Sequence, residues 1–147
     1  VRITVSTSCF VPKPHSPFQW ESQNTMEEYI RKVNLLRDNI RAKNVVYNWH
    51  DPQTSYIEAT LSRGDRRVGK RWMNAFEDAG LDPSFYAHRP RAKDETMPWD
   101  VVDVGVRKAH LWHEREQAYK SELSPDCRKQ CSACGAAKLL KGGKCDG

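Results

Sequence analysis

The hydrophobic and polar positions along the chain predict a strand, a helix, a second strand and then mostly helices. The opening stretch VRITVST is rich in β-branched residues, which is typical of a strand. From Met26 to Ile40 apolar residues recur at helical spacing, after a Thr25–Glu28 pair with the form of a capping box. The stretch NVVYNWHDP then predicts a short strand at residues 45–49, closed by a turn at Asp51-Pro52.

The middle of the chain predicts helices joined by polar segments. Ser55 and Glu58 repeat the capping-box spacing and predict a helix that Gly64 ends. The stretch DRRVGKR predicts a basic link, and WMNAFEDAG, residues 72–80, predicts another short helix. Residues 81–98 contain three prolines and are predicted to form a connecting loop.

The C-terminal part combines one helix with a segment of unusual composition. Apolar residues among many charges predict a last helix over residues 105–123. The remainder is rich in cysteine, lysine and glycine and has no clear periodicity. We therefore divide the chain into 1–50, 51–123 (a helical extension) and 124–147 (a Cys-rich tail).

The two predicted strands raise the question of which sheet they belong to, since one strand cannot form a sheet on its own. Either they pair with each other, or the first belongs to a sheet whose other strands are outside this chain. The chain begins with Val1 rather than methionine, in the middle of the first strand. Both observations lead us to expect a fragment of a longer reading frame.

Composition narrows the class of protein. The 147 residues suit one domain; 38% are hydrophobic, 29% are charged and 10% are aromatic. The net charge of +5 permits an anionic partner, but the basic residues are scattered among acids, which favours a solvated basic surface.

No apolar run is long enough for a membrane span or a signal-peptide core. Five cysteines, an odd number, favour a reducing cytoplasm.

Three stretches together resemble one family. They are VSTSCFVPKPHSPFQWE, NWHDPQTSYIEATLSRGDRR and PWDVVDVGVRKAHLWHEREQA. They look like the C-terminal part of radical S-adenosylmethionine (radical SAM) proteins that carry a cobalamin-binding domain upstream. The RGDRR stretch is a family-like signature, and the closing DCR…CSACG is similar to the family's cysteine-containing tail.

The resemblance implies an α/β fold in which residues 1–50 supply the last strand or strands of a partial (β/α) barrel. The whole enzyme would hold a [4Fe-4S] cluster and S-adenosylmethionine, with cobalamin in its upstream domain. The partner of this chain would then be the remainder of its own polypeptide. The substrate, a small molecule or RNA, is left open, and the chain alone is expected to be inactive because the cluster-binding loop is absent.

The loop SCFVPKPHSPFQW, residues 8–20, would follow the carboxyl end of that strand, where barrel enzymes build their active sites. Its three prolines would hold polar groups in fixed positions. Lys13 and His15 are therefore candidates to face a substrate or the carboxylate of the cosubstrate. In the alternative interpretation the prolines only steer the chain, with aromatic side chains packed beneath the loop. These aromatic residues are Phe10, Phe18 and Trp20.

Four cysteines of the tail form a candidate metal site. Cys127, Cys131 and Cys134 have the C-x3-C-x2-C spacing of a radical SAM cluster, but the tail lacks a preceding strand and Ala133 stands where an aromatic residue is usual. We do not assign the cluster to them. Together with Cys145 they could hold Zn²⁺ or an auxiliary iron–sulfur cluster, or remain free thiols.

A second hypothesis belongs to another class of protein, a small basic metal-binding module that contacts RNA or DNA. It depends on the cysteine tail and on the basic stretch RGDRRVGKR. Arg63, Arg66 and Arg67 are its candidate anion-binding residues. A third hypothesis is a structural remnant without activity.

Overall fold

The computed structural model describes residues 1–71 and 82–139 and has a small mixed α/β fold with a two-stranded parallel sheet. The helix predicted at 72–80 lies outside the described residues. The elements are β1 (Ile3–Thr7), α1 (Met26–Asn39), β2 (Val45–Trp49), α2 (Pro52–Arg63), α3 (Arg66–Arg71), α4 (Pro83–Ala87), α5 (Lys108–Tyr119) and a 3-10 helix (Ala136–Leu139). None of the described helices is long and apolar enough to cross a membrane.

The chain packs as two compact units, which we describe separately. Unit 1 comprises Val1–Pro12 and Glu21–Pro90. Unit 2 comprises Lys13–Trp20 and Arg91–Gly147. A short piece of the N-terminal loop therefore belongs to the same unit as the C-terminal part of the chain.

The sheet of unit 1 is a β1–α1–β2 arrangement. The two strands run parallel, with Ile3 opposite Val45 and Thr7 opposite Trp49. The prediction of both strands is confirmed. Of the two possibilities for their sheet, the structure shows that they pair with each other. No residue of either strand is buried; every one is exposed or half-buried. Parallel sheets are normally covered on both faces, so this sheet is unusually open among the described residues.

Helix α1 begins where the sequence predicts. The Thr25 hydroxyl accepts a hydrogen bond of 3.3 Å from the Glu28 amide, which satisfies one of the free donors of the first turn. The Glu28 carboxylate binds the Arg31 guanidinium through two hydrogen bonds of 2.7 and 2.8 Å. The hydrogen bond from Arg31 is the largest effect on this carboxyl and lowers the pKa of Glu28 to about 2.

Helix α2 begins earlier than predicted. Its N-cap is Asp51, whose carboxylate accepts from the Thr54 amide at 2.7 Å, and Pro52 occupies the first helical position. The capping box assigned to Ser55 was wrong because an aspartate followed by proline is itself a strong start signal. The helix ends at Gly64, as predicted.

Two further helices of unit 1 were not predicted. The stretch read as a basic link forms α3, and the predicted loop 81–98 contains α4. Helix α4 has the same start signal as α2, since Asp82 precedes Pro83 and accepts from the Ser84 amide at 2.8 Å. The prolines of this region mark a helix start as well as a loop.

The core of unit 1 joins α2, α4 and the end of the N-terminal segment. Val11, Ala59 and Ala87 are buried together, with Tyr56 packed against them. Gln23, also buried, donates from its amide nitrogen to the Ser55 carbonyl at 3.0 Å. The nitrogen of this carboxamide is therefore paired inside the unit.

The core of unit 2 is aromatic. Trp20, Met97, Trp99 and Leu111 are buried together, and the Trp20 ring meets the edge of Trp112 at a centroid distance of 5.0 Å. Trp20 is thus buried, as the alternative interpretation of the loop expects.

The other two aromatic residues of the loop do not pack as the alternative interpretation expects. Phe10, in unit 1, and Phe18, in unit 2, are exposed, with 51% and 36% of their surfaces accessible. Helix α5 covers Lys108–Tyr119 and is shorter than predicted at both ends. Gly105 and Ser121, just outside it, have left-handed φ values of 76° and 59°, which an α-helix cannot contain.

Candidate functional site

The loop Lys13–Trp20 of unit 2 is held by one buried amide side chain. The Oε1 atom of Gln19 accepts hydrogen bonds from the His15 backbone amide at 3.0 Å and from the Trp99 indole at 2.7 Å. Gln19 is only 2% exposed, so these bonds form away from competing water. The loop conformation is therefore fixed by a long-range contact in addition to its prolines.

His15 has a backbone conformation that side-chain-bearing residues rarely adopt. Its φ is 56°, in the left-handed region, where a Cβ atom is sterically unfavourable. Strain of this kind concentrates at functional sites, where the surrounding structure enforces it. Here the bond from the His15 amide to Gln19 helps to enforce it.

A cavity of about 370 Å³ lies beside this loop within unit 2. Such a volume falls within the range of small-molecule sites. Its polar lining residues are His15, Gln19, Asp100, Asp103 and Lys108. Its apolar lining residues include Val104, Val106 and Leu111.

Asp100 and Lys108 form an ion pair at this cavity. The Lys108 ammonium donates to the Asp100 carboxylate at 2.7 Å and to the Glu95 carbonyl at 2.8 Å. The Asp100 carboxylate also accepts from the Met97 amide at 2.8 Å. Partial burial opposes ionisation of Asp100, but these hydrogen bonds and the charges of Lys108 and His15 outweigh it and lower the pKa of the carboxyl.

Lys13 and His15, the two loop residues predicted to face a ligand, differ in their position relative to the cavity. The His15 side chain lines the cavity, whereas Lys13 is exposed and is not among the lining residues. The Lys13 carbonyl accepts from the Ser16 hydroxyl at 2.7 Å. Sequence reasoning missed Asp100 and Lys108, although both lie within the PWDVVDVGVRKAHLWHEREQA stretch.

A second cluster of polar side chains lies at the carboxyl end of the parallel sheet in unit 1. The hydroxyls of Thr7 and Tyr47 are hydrogen-bonded at 2.8 Å, and the Tyr29 hydroxyl donates to the His50 carbonyl at 3.1 Å. Burial raises the pKa of the Cys9 thiol, opposed by a side-chain hydrogen bond with Gln23 and by the charge of Lys32. Ligands of open α/β sheets bind at this end of the strands.

The three arginines predicted to bind an anion do not share one environment. Arg63 has no exposed surface and donates to the carbonyls of Ala87 at 3.2 Å and Arg89 at 3.3 Å. A dissolved anion cannot reach it, so this prediction was wrong for Arg63. Arg66 and Arg67 are exposed. The Arg67 guanidinium forms an ion pair with the Asp65 carboxylate, with an N–O distance of 2.6 Å.

The described cysteines of the tail lie outside helices and strands. Cys127 and Cys131 are exposed and Cys134 is half-buried, all as free thiols. Within residues 1–71 and 82–139, no three potential ligand side chains are grouped closely enough to hold a metal ion. Cys145 lies outside the described residues, so the four-thiolate site stays a prediction.

Comparisons with known proteins found no matching family model, no similar curated protein and no similar solved structure.

Proposed function

We propose that this chain is the C-terminal part of a radical SAM enzyme. In this proposal β1 and β2 are late strands of a partial (β/α) barrel, and the loop after β1 contributes to the active site. The basis is the resemblance of three stretches, SCFVPKPHSPFQW among them, together with the arrangement of the sheet. The substrate class stays open between a small molecule and RNA.

The observation that carries the proposal is the exposure of the parallel β1–β2 pair. Parallel strands occur almost only in sheets whose two faces are covered, and an isolated two-stranded sheet is marginal in water. Yet Ile3 on β1 and Trp49 on β2 are 47% and 43% exposed. Further strands and helices of a barrel would cover these side chains and pair with the outer edges of β1 and β2.

The connection between the strands also suits a barrel. β1 is followed by a proline-rich loop and by α1, and β2 returns parallel to β1, which is the repeating unit of (β/α) barrels. Active sites of such barrels lie at the carboxyl ends of the strands. At this end the chain places Thr7, Tyr29 and Tyr47.

Within unit 2, His15 and the Asp100–Lys108 pair suit a small polar ligand. The cavity offers a cationic ammonium, a carboxylate and an imidazole, so it can pair with carboxylate and amine groups of a ligand. Gln19 would keep the His15 backbone in place by its hydrogen bond. These residues would bind and orient a ligand by ion pairing and hydrogen bonding.

The cofactors belong to the upstream part of the proposed enzyme. A bound [4Fe-4S] cluster would supply one electron for the reductive cleavage of S-adenosylmethionine into methionine and a 5′-deoxyadenosyl radical. The tail cysteines do not fit that cluster, because Cys127 and Cys131 are exposed and follow a helix rather than a barrel strand. The cluster and the cobalamin would be held by residues outside this chain.

The test begins with the genomic DNA upstream of Val1. We expect the reading frame to continue through a cobalamin-type domain and a C-x3-C-x2-C loop after the first barrel strand. The protein encoded by the whole frame, reconstituted anaerobically with iron and sulfide, should form 5′-deoxyadenosine from S-adenosylmethionine and dithionite. A stop codon directly upstream, or a reconstituted protein that leaves S-adenosylmethionine intact, would overturn the proposal.

The chain alone offers a second test. Because its strand edges would lack their partners, it should self-associate in size-exclusion chromatography. A monomer with a single sharp unfolding transition would contradict a barrel origin, since such a chain needs no further strands.

A further inference from the structure

Two turns of the tail each contain a cysteine whose sulfur atom accepts a hydrogen bond from a backbone amide. The Sγ atom of Cys131 accepts a hydrogen bond from the Ala133 amide at 3.4 Å, and that of Cys134 accepts from the Ala136 amide at 3.5 Å. In both cases the donor lies two residues after the cysteine. The same local geometry therefore fixes the orientation of both sulfur atoms.

The second turn is anchored to the rest of unit 2. The Arg107 amide donates to the Cys134 carbonyl at 2.8 Å, and the Arg107 guanidinium donates to the Ala133 carbonyl. Gly135 has a φ of 105°, and a Cβ atom there would lie 2.7 Å from the Gly105 carbonyl oxygen. The turn thus requires glycine at position 135. Ala133 in the same turn also has a left-handed φ, of 53°.

Cys127 lies in a neighbouring turn with its own internal bonds. The Asp126 carbonyl accepts from the Lys129 amide at 2.8 Å, and the Asp126 carboxylate accepts from the Arg128 amide at 2.9 Å. The Arg128 guanidinium also binds the Asp126 carboxylate, at 2.6 Å. The turn that contains Cys127 is therefore held by its own neighbouring residues.

The segment has little else to hold it in place. Residues 121–133 are all exposed, so burial of apolar surface contributes almost nothing to their order. A short segment without a core is commonly stabilised by a bound metal.

We propose that Cys127, Cys131 and Cys134 bind one Zn²⁺ ion as thiolates, with water or another side chain as the fourth ligand. Cys131 and Cys134 form the ordered half of the site, and binding draws Cys127 towards them. Each thiol that binds releases its proton to the solvent as the sulfur–zinc bond forms. No electron is transferred. This site would be structural and does not depend on the radical SAM proposal.

The test uses the purified chain in a thiol-free reductant. Wild type should retain one zinc per chain, and Co²⁺ in its place should give a sulfur-to-cobalt charge-transfer band and the intense visible bands of tetrahedral cobalt. Cys131→Ser and Cys134→Ser should each weaken zinc binding by about 100-fold or more, because a thiolate ligand is lost. Cys9→Ser, in unit 1, is the matched control and should bind zinc as wild type does.

Three results would overturn the proposal. The first is the absence of both retained zinc and the cobalt–thiolate band. The second is equal zinc affinity in Cys131→Ser, Cys134→Ser and wild type. The third is binding of iron and sulfide in place of zinc after anaerobic reconstitution, which would make the site an iron–sulfur centre.

Discussion

The indole nitrogen of Trp99 donates a 2.7 Å hydrogen bond to the side-chain oxygen of Gln19, a residue 80 positions earlier in the chain. The same oxygen accepts the His15 backbone amide. Since Gln19 and Trp99 are both buried, this single carboxamide connects the loop Lys13–Trp20 to the core of unit 2.

Replacing this carboxamide should destabilise unit 2. In Gln19→Leu the indole and the His15 amide lose their acceptor, which should lower the free energy of unfolding by about 1–3 kcal/mol. Urea unfolding followed by tryptophan fluorescence measures it. The exposed Gln53 on α2 provides a matched control, and equal effects of Gln19→Leu and Gln53→Leu would show that the buried bonds contribute nothing.

The strain at His15 leads to a second prediction. Because glycine adopts a left-handed φ without steric penalty, His15→Gly should raise the free energy of unfolding by about 1 kcal/mol over His15→Ala. Thermal unfolding of the two variants measures the difference. Ala133→Gly, at a φ of 53°, is a control for the same backbone effect elsewhere in unit 2. If His15→Gly were no more stable than His15→Ala, the strain would be absent.

Arg63 should be needed for the stability of unit 1. Arg63→Leu removes the guanidinium donor of the Arg89 carbonyl and one of the two donors of the Ala87 carbonyl, which keeps the Gln23 amide at 2.9 Å. This loss should cost about 1–3 kcal/mol. Arg63→Lys should not restore stability, because an ammonium cannot reproduce the two-pronged geometry of the guanidinium. The exposed Arg66→Leu should change stability by less than about 0.5 kcal/mol. Chemical denaturation of the three variants measures this, and similar losses for Arg63→Leu and Arg66→Leu would contradict it.

Gly64 should not tolerate a side chain. A Cβ atom there would overlap Cγ2 of Val68 and lie 2.8 Å from the Thr60 carbonyl oxygen. Gly64→Ala should therefore destabilise unit 1 by about 1–3 kcal/mol. In the Val68→Ala background the penalty should be smaller but not zero, because Cγ2 is removed while Cβ of residue 68, at 2.9 Å, and the Thr60 carbonyl oxygen remain. A double-mutant cycle measures this coupling, and a penalty independent of Val68 would contradict it.

The Asp100 carboxyl makes unit 2 sensitive to acid. Its pKa is lower in the folded chain than the ordinary value, so ionised Asp100 stabilises the fold above that ordinary value. This contribution is lost as the pH falls through the lowered pKa. We expect wild type and Asp100→Asn to differ in unfolding midpoint at neutral pH and to converge in strong acid. A difference that stays constant across this range would contradict the role assigned to Asp100.

Sequence reasoning predicted the elements that depend on neighbouring residues. β1, β2 and the start of α1 were predicted correctly because β-branched runs, helical spacing and the Thr25 cap act over a few positions. The starts of α2 and α4 were also local signals, but Asp51-Pro52 was interpreted as a turn and the proline-rich loop was assumed to exclude Pro83–Ala87. Both errors came from treating proline only as a helix breaker.

The candidate site could be predicted only in part. His15 stood out because it lies among prolines in a short loop. Gln19, Asp100 and Lys108 carry no such local signal, since their roles depend on the contact between residues 13–20 and the C-terminal part of the chain. The burial of Arg63 was missed for the same reason, because its partners Ala87 and Arg89 come from a later helix and the loop after it.

The discontinuous make-up of unit 2 has a consequence for synthesis on the ribosome. Trp20 leaves the exit tunnel early, but its neighbours Met97, Trp99 and Leu111 are translated much later. Until then one of the largest apolar side chains of the chain has no native partner, and long-range closure of this kind slows folding. A nascent chain halted near Pro90 should therefore bind a chaperone that recognises exposed aromatic residues, and a Trp20→Ser nascent chain of the same length should bind it less.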